Sequence, residues 1–331
     1  MSVEQIFKEF QNLNVLIIGD VMVDEYISGS VNRISPEAPV PVVHVKTTEE
    51  RLGGAANVAL NIKALGATPI LCSVTGKDGN AKKLLSLLKK NKVSTQYIIQ
   101  SKERITTTKT RLLSHNQQIA RVDSEMTDAL IDKDRTLFLK TVLSALSKEK
   151  ISVVIFEDYD KGVLDKTSIE KIISVCNAKK IPVAVDPKKD NFFNYKKADL
   201  FKPNLREVRE ALNLPIEILS IDNLKTVSAK LRRTLNNAIT MITLSEHGVF
   251  IDEKNKQFIL PAHRRNVADV SGAGDTVISV AALALALGLN LETIAELSNL
   301  AGGLVCEQPG VVPINKKQLV TEAIKYVEPK S

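Results

Sequence analysis

Asp269-Val270-Ser271-Gly272-Ala273-Gly274-Asp275-Thr276 runs directly into an almost unbroken apolar stretch, residues 277–289, rich in Ala and Leu. The pattern reads as a loop of small residues turning into a buried helix. Gly272 and Gly274 allow close approach of the backbone to a ligand, and the first N–H groups of a helix have no partner within it. Such an end attracts anions, phosphate above all. Asp275 stands at the mouth of this anion hole. From there a carboxylate can accept the proton of a hydroxyl that attacks phosphorus. A plain Asp cap on a core helix fits the same stretch, because Asp is a preferred cap.

Upstream, short apolar runs stop at polar or glycine residues. Val15-Leu16-Ile17-Ile18 stops at Gly19-Asp20, which suits a buried parallel strand. Asp20 and Asp24 then lie where open α/β sheets bind ligands, and both are candidates for hydroxyl binding. Later, Val153-Val154-Ile155-Phe156 precedes Glu157-Asp158-Tyr159-Asp160-Lys161-Gly162, and Pro182-Val183-Ala184-Val185 precedes Asp186-Pro187-Lys188. Ala198-Asp199-Leu200-Phe201 precedes Lys202-Pro203-Asn204, and a strand over 239–244 precedes Ser245-Glu246-His247-Gly248. In a parallel sheet these ends share one edge and describe a cleft lined with acids, a lysine and small residues. Asn204 and Glu207 lie three apart on one face of a starting helix, where they could order magnesium beside ATP phosphates.

Two regions break the βα rhythm. Residues 26–50 contain short β-like pieces around Pro36 and Pro39, and residues 97–122 read as hairpins. Together they predict a small β lid. Lys109, Arg111 and Arg121 lie on its strands, either as solvated faces or as partners of an anionic group. Between these regions, Gly53-Gly54-Ala55-Ala56-Asn57 is expected to open a helix to about Leu65, closed by Gly66. Close approach at the glycines and the Asn57 amide suit sugar hydroxyls; tight helix packing by small residues fits as well.

The bulk composition limits the classes. The chain has 331 residues, 44% of them hydrophobic, and 45 basic against 38 acidic residues, giving +7. It contains no Trp and no long basic run, which argues against a nucleic-acid partner. Cys72, Cys176 and Cys306, and His44, His115, His247 and His263, have no metal-ligand spacing, so no structural zinc and a reducing cytoplasm are expected. The polar first residues are not a signal peptide, and the apolar helix after Asp275 is too short to span a bilayer, so no membrane association is expected. No Walker loop or three-glycine dinucleotide fingerprint is present.

From end to end the chain resembles the ribokinase-like (PfkB) carbohydrate kinases. The Gly-Gly-Ala-Ala-Asn segment, Asn204-Leu205-Arg206-Glu207 and Gly272-Ala273-Gly274-Asp275 carry the resemblance, in the family's order. It is most similar to the heptose 7-phosphate kinase branch. The matching segments there are Gly19 to Asp24, Arg33-Ile34-Ser35-Pro36-Glu37-Ala38-Pro39-Val40-Pro41-Val42, Glu50 to Ala59, Asn116-Gln117-Gln118, Asp158-Tyr159-Asp160-Lys161-Gly162 and Pro203-Asn204-Leu205. The resemblance implies a single α/β domain over residues 1–331, a three-layer αβα sandwich with a mostly parallel sheet and a lid over about 26–50 and 97–122. It implies ATP and Mg²⁺, and phosphorylation of the anomeric hydroxyl of heptose 7-phosphate on the way to ADP-heptose and lipopolysaccharide core. A related sugar kinase for ribose, fructose phosphate or ketodeoxygluconate would keep the same fold and base.

By position, the resemblance makes Asp275 the base and the amides of Gly272, Ala273 and Gly274 the anion hole. Asn204 and Glu207 fall to the magnesium–phosphate region, and Ser245 and Gly248 to the nucleotide. Asp20, Gly53, Gly54 and Asn57 fall to the sugar. A substrate phosphate needs cations, which favours a subset of Arg33, Lys109, Arg111, Arg121 and Lys161. A homodimer through the lids is implied. The family's Gly-Thr-rich C-terminal segment is replaced by Cys306-Glu307-Gln308-Pro309-Gly310-Val311, which departs from a monovalent-cation site near Asp269; Arg206 stands where a small residue is expected. No His-x-Gly-His motif occurs, so adenylyl transfer by a C-terminal nucleotidyltransferase domain is not expected of this chain.

Overall fold

The structure, a computed structural model, describes residues 1–114, 117–214, 220–254 and 256–327. Asn116, one of the motif residues, lies outside them. The main sheet is built on β1 (Asn14–Gly19), where the side chains alternate between two cores. Val15 and Ile17 enter one, and Leu16 and Ile18 enter the other. This period-two division is why the strand reads as a continuous apolar run. Beside it lie β4 (Thr68–Gly76) and β5 (Ile98–Ser101) on one side. On the other lie β8 (Val153–Glu157), β9 (Val183–Asp186), β10 (Leu200–Phe201) and β11 (Ile239–Thr243), all parallel. An antiparallel pair, β12 (Val249–Glu253) and β13 (Lys256–Leu260), completes the edge. The order is β13-β12-β11-β10-β9-β8-β1-β4-β5.

Helices cover both faces. One layer holds α1 (Val3–Glu9), α2 (Ala55–Leu65), α3 (Gly79–Lys90), α8 (Ala273–Ala286), α9 (Leu291–Val305) and α10 (Lys316–Tyr326). The other holds α4 (Asp132–Lys148), α5 (Lys166–Ala178), α6 (Leu205–Leu212) and α7 (Ile221–Leu235). The expected three-layer αβα sandwich is therefore present.

The second sheet is the lid, in the order β3-β2-β6-β7, with β2 (Val21–Ile34), β3 (Pro41–Gly54), β6 (Thr108–Ser114) and β7 (Gln117–Ser124). It differs from the expected boundaries in three respects. β2 and β3 are 14-residue strands rather than short pieces. Their alternation is hidden because residues 44–49 are exposed and mostly polar. Residues 98–101 belong to the main sheet: they pair with β4 as its edge strand, where few side chains need be apolar. Gly53 and Gly54 end β3, and α2 begins only at Ala55.

Candidate active site

The C-terminal ends of β1, β8, β9, β10 and β11 lie along one edge, and the head of α8 enters beside β8 and β9. Gly272 precedes α8 with φ +79, a left-handed backbone, and an added Cβ would lie 2.9 Å from Asn57 Nδ2. Only glycine fits there. The amides of Gly272, Gly274 and Asp275 make no hydrogen bond among the described residues, whereas the Ala273 N–H donates to Val270 O at 3.3 Å. At the head of α8 the amides of residues 272, 274 and 275 are thus left open among the described residues, whereas the Ala273 amide, expected to join them, is engaged by Val270.

Asp275 is 2% exposed. Asn57 Nδ2 donates to its Oδ2 at 2.7 Å, and the Tyr159 hydroxyl donates to its Oδ1 at 2.7 Å. Burial pushes its pKa up to about 6, opposed by those two hydrogen bonds and reinforced by Asp186 and Asp24. Burial, and then the nearby Asp275, hold the Tyr159 phenol well above its ordinary value. Asn57 is itself placed by α2, whose start is fixed by the Ala55 N–H bond to Asp20 O at 2.9 Å.

Around this centre is a buried charge cluster. Lys202 Nζ meets Asp186 Oδ2 at 2.7 Å, with side chains 3% and 7% exposed. Glu157 is buried beside them, and its Oε2 has no hydrogen-bond partner. Burial and the charges of Asp186 and Asp275 hold its carboxyl far above the usual range. Lys188 pairs with Glu207, and its Nζ lies 5.3 Å from the Tyr159 ring centroid. Burial lowers the Lys188 pKa, but Asp186 and Glu207 outweigh it and the net shift is upward.

The structure sorts the other predicted residues. Asp24 lies at the lid base, ion-paired with Arg111. Gly53 allows this, since a Cβ there would meet Asp24 Oδ2 at 2.1 Å. Asp20 is turned instead to the 159–163 loop, where its carboxylate accepts main-chain N–H groups of Tyr159, Lys161 and Val163 at 2.8, 3.2 and 3.3 Å. It thus anchors that loop, and Gly54 packs against its carbonyl. Asn204 and Glu207 cap α6 reciprocally: Glu207 N–H reaches Asn204 Oδ1 and Asn204 N–H reaches Glu207 Oε2, each at 2.8 Å. Ser245 and Gly248 form the turn after β11, both with positive φ.

Among the cations, Lys161 pairs with Glu125 at 2.9 Å, and Arg121 is exposed and pairs with Asp123 at 2.8 Å. Arg33 is exposed near the far end of β2, away from Asp24. Lys109 is half-buried and has no carboxylate partner among the described residues, and its Nζ lies 5.4 Å from the Tyr159 ring centroid. Burial and the neighbouring Lys161 lower its pKa. Tyr159, Glu157, Asp186, Lys188 and Lys202 were given no individual role by sequence reasoning. Their signal was position alone: each follows or closes a strand of the parallel sheet.

The sequence pattern describing the pfkB family carbohydrate kinases matches residues 12–318. The bifunctional protein HldE of Methylobacillus flagellatus is 42% identical over 308 residues, 93% of this chain and 62% of that protein. The bifunctional protein HldE of Helicobacter pylori is 39% identical over 296 residues, 89% of this chain and 63% of that protein. The chain thus spans less than two thirds of the length of these relatives. Among solved structures, phosphofructokinase-2 from Escherichia coli superposes with a TM-score of 0.78 at 17% identity, covering 95% of this chain and 98% of that one. Arabidopsis thaliana ribokinase, complexed with ribose and ATP, gives 0.72 at 17% identity, covering 95% and 99%.

Proposed function

Because the chain belongs to the pfkB family of carbohydrate kinases, we propose that it transfers the γ-phosphate of ATP to the anomeric hydroxyl of D-glycero-D-manno-heptose 7-phosphate. The product is heptose 1,7-bisphosphate, for ADP-heptose and lipopolysaccharide core synthesis. The observation that carries the reaction type is Asp275, buried between Asn57 and Tyr159 at the head of α8. Support for the heptose comes from the branch motifs, residues 33–42 and 158–162, and from the similarity to the bifunctional HldE proteins.

In this reading Asp275 takes the proton of the anomeric hydroxyl as its oxygen attacks the γ-phosphorus. The bond from that phosphorus to the β–γ bridging oxygen breaks, and ADP leaves with that oxygen. The amides of Gly272, Gly274 and Asp275 receive the charge on the transferring phosphoryl oxygens, so catalysis is mostly positioning and neutralisation. Magnesium would add charge neutralisation at the ATP phosphates. Among the described residues no three carboxylates come together as a metal site, and Asp186 is paired with Lys202, so Glu207 and Asp186 would meet the ion only through its waters. Glu207 is already engaged by Lys188 and the Asn204 N–H, which suits a magnesium ion held through its waters. Ser245 and Gly248 fall to the nucleotide side, and Asp24, Gly53 and Asn57 to the sugar.

Lys109 is the cation assigned to the 7-phosphate, since of the five candidates it alone combines the lack of a carboxylate partner among the described residues with a position over the Tyr159 ring. Arg33 is set aside by its exposure, and Arg111, Arg121 and Lys161 by their ion pairs. The test is ATP turnover over a panel of sugars and sugar phosphates, for the wild type and for Lys109→Met. Selective turnover of heptose 7-phosphate is expected. Lys109→Met should raise its KM by about ten- to a hundredfold, the usual worth of a charged hydrogen bond, and leave the KM for ATP unchanged. Preference for an unphosphorylated sugar would overturn the substrate assignment.

A homodimer through the lids is part of the same proposal. Ile34, Val40, Val45 and Val122 on the lid are 60%, 51%, 52% and 59% exposed. Sedimentation equilibrium should give twice the chain mass, and a single-chain mass would remove the dimer. No helix among the described residues is long and apolar enough to cross a membrane. ATP as co-substrate favours the cytoplasm.

A further inference from the structure

A set of contacts at the lid base lies outside every role assigned so far. Tyr26, two positions along β2 from Asp24, is sandwiched between two guanidinium groups. Arg51 lies 4.9 Å and Arg111 5.2 Å from its ring centroid. Arg111 also holds Asp24. Arg51 reaches across to the segment after α9, where its Nη1 donates to Pro309 O at 2.8 Å and Val311 O at 3.3 Å. The Val311 N–H returns a bond to the Tyr26 hydroxyl oxygen at 3.0 Å.

From there the contacts run straight into the anion hole. The Gly310 N–H donates to Asp269 Oδ2 at 2.9 Å, and the Ser271 N–H donates to Asp269 Oδ1 at 2.9 Å. The Val311 side chain packs on Gly272, whose Cβ would lie 3.3 Å from Val311 Cγ1. The fit at the crossing is close: a Cβ on Gly310 would lie 2.6 Å from Arg51 Nη1 and 3.0 Å from the Tyr26 hydroxyl.

We infer that Arg51 and Tyr26 are positioning residues that clamp the 309–311 segment and thereby fix the anion-hole loop, residues 269–274, against the lid base that carries Asp24. Loss of the clamp leaves the fold intact and misplaces the amides that face the terminal phosphate. Misplacement of reacting groups by about 1 Å costs on the order of a hundredfold. The inference rests on reading residues 272–275 as the site of the transferred phosphoryl group.

The test compares the binding of Mg²⁺ with adenylyl imidodiphosphate and of Mg²⁺ with ADP, by calorimetry, without any sugar. Arg51→Ala is expected to weaken the triphosphate analogue about tenfold and change ADP less than twofold, with the melting temperature preserved. Gly310→Ala, which wedges the crossing, should act in the same direction. Glu49→Ala removes only Arg51's exposed partner and should leave both affinities unchanged. Equal losses for both nucleotides, or no loss for either, in Arg51→Ala would overturn the clamp while leaving the kinase reading in place. A wild-type chain that binds neither nucleotide would overturn both; one that binds both and phosphorylates no heptose would overturn the substrate alone.

Discussion

Asp275→Asn is expected to bind ATP and sugar phosphate normally and to turn over about two to four orders of magnitude more slowly, the usual worth of a general base. The substituted amide keeps the shape and the contact at Oδ1 with the Tyr159 hydroxyl, but it cannot accept a proton. The pH profile separates loss of the base from loss of packing. Burial holds the Asp275 carboxyl at about 6, with Asn57 and Tyr159 pulling it down and Asp186 and Asp24 pushing it up. The base must be ionised to act. Wild-type kcat/KM should therefore be level above about pH 6 and fall about tenfold per unit below it. In Asp275→Asn that acid limb should vanish. Full activity in the variant, or an unchanged acid limb, would remove Asp275 from the base role.

Lys202→Met is expected to cost about 3–5 kcal/mol of folding stability, the usual penalty for breaking a buried ion pair from one side. Methionine matches the volume of the lysine stem, so what is lost is charge. Asp186 would then remain buried next to Glu157 and Asp275 with Lys188 as the nearest compensating cation. Glu157 already lacks a partner for one oxygen, and burial with the charges of Asp186 and Asp275 raises its carboxyl pKa well above the usual range, Lys202 and Lys188 opposing. Urea denaturation measures the loss. Lys202→Met combined with Asp186→Asn should recover part of it, because the second change removes the stranded charge. A loss below about 1 kcal/mol in the single variant would mean that Lys188 alone neutralises the cluster.

The elements that carry the chemistry were largely legible. Buried parallel strands show as short apolar runs, and β1, β4, β8, β9 and β11 fall where such runs occur. α8 announces itself because its glycine-rich start and all-apolar body leave few other readings. The lid was legible in character and not in extent. β3 carries exposed polar residues on both faces over much of its length, so no period-two signal marks it. β5 is a four-residue edge strand, too short to distinguish from a lid hairpin. At the site, Asp275 and Asn57 were found, but their hydrogen bond joins residues 218 positions apart. Tyr159 looked like one residue of an ordinary turn until the fold set its hydroxyl on Asp275. The structural contacts of Asp20 and Glu207 were hidden for a related reason: a carboxylate that anchors a loop or caps a helix carries the same letter as one that faces a ligand.

The long hairpin of β2 and β3 has a consequence for how such a protein can diversify. Its lower third sets Met22 opposite Gly53 and Asp24 opposite Arg51. A one-residue slip there would turn every side chain to the other face. Its outer part already tolerates two irregularities, between Ser28 and Gly29 and between Val31 and Arg33. The hairpin is therefore a fixed hilt with an exchangeable blade. Insertions, deletions or changes of side chain at the tip would fall beyond those irregularities and leave the register that holds Asp24 undisturbed.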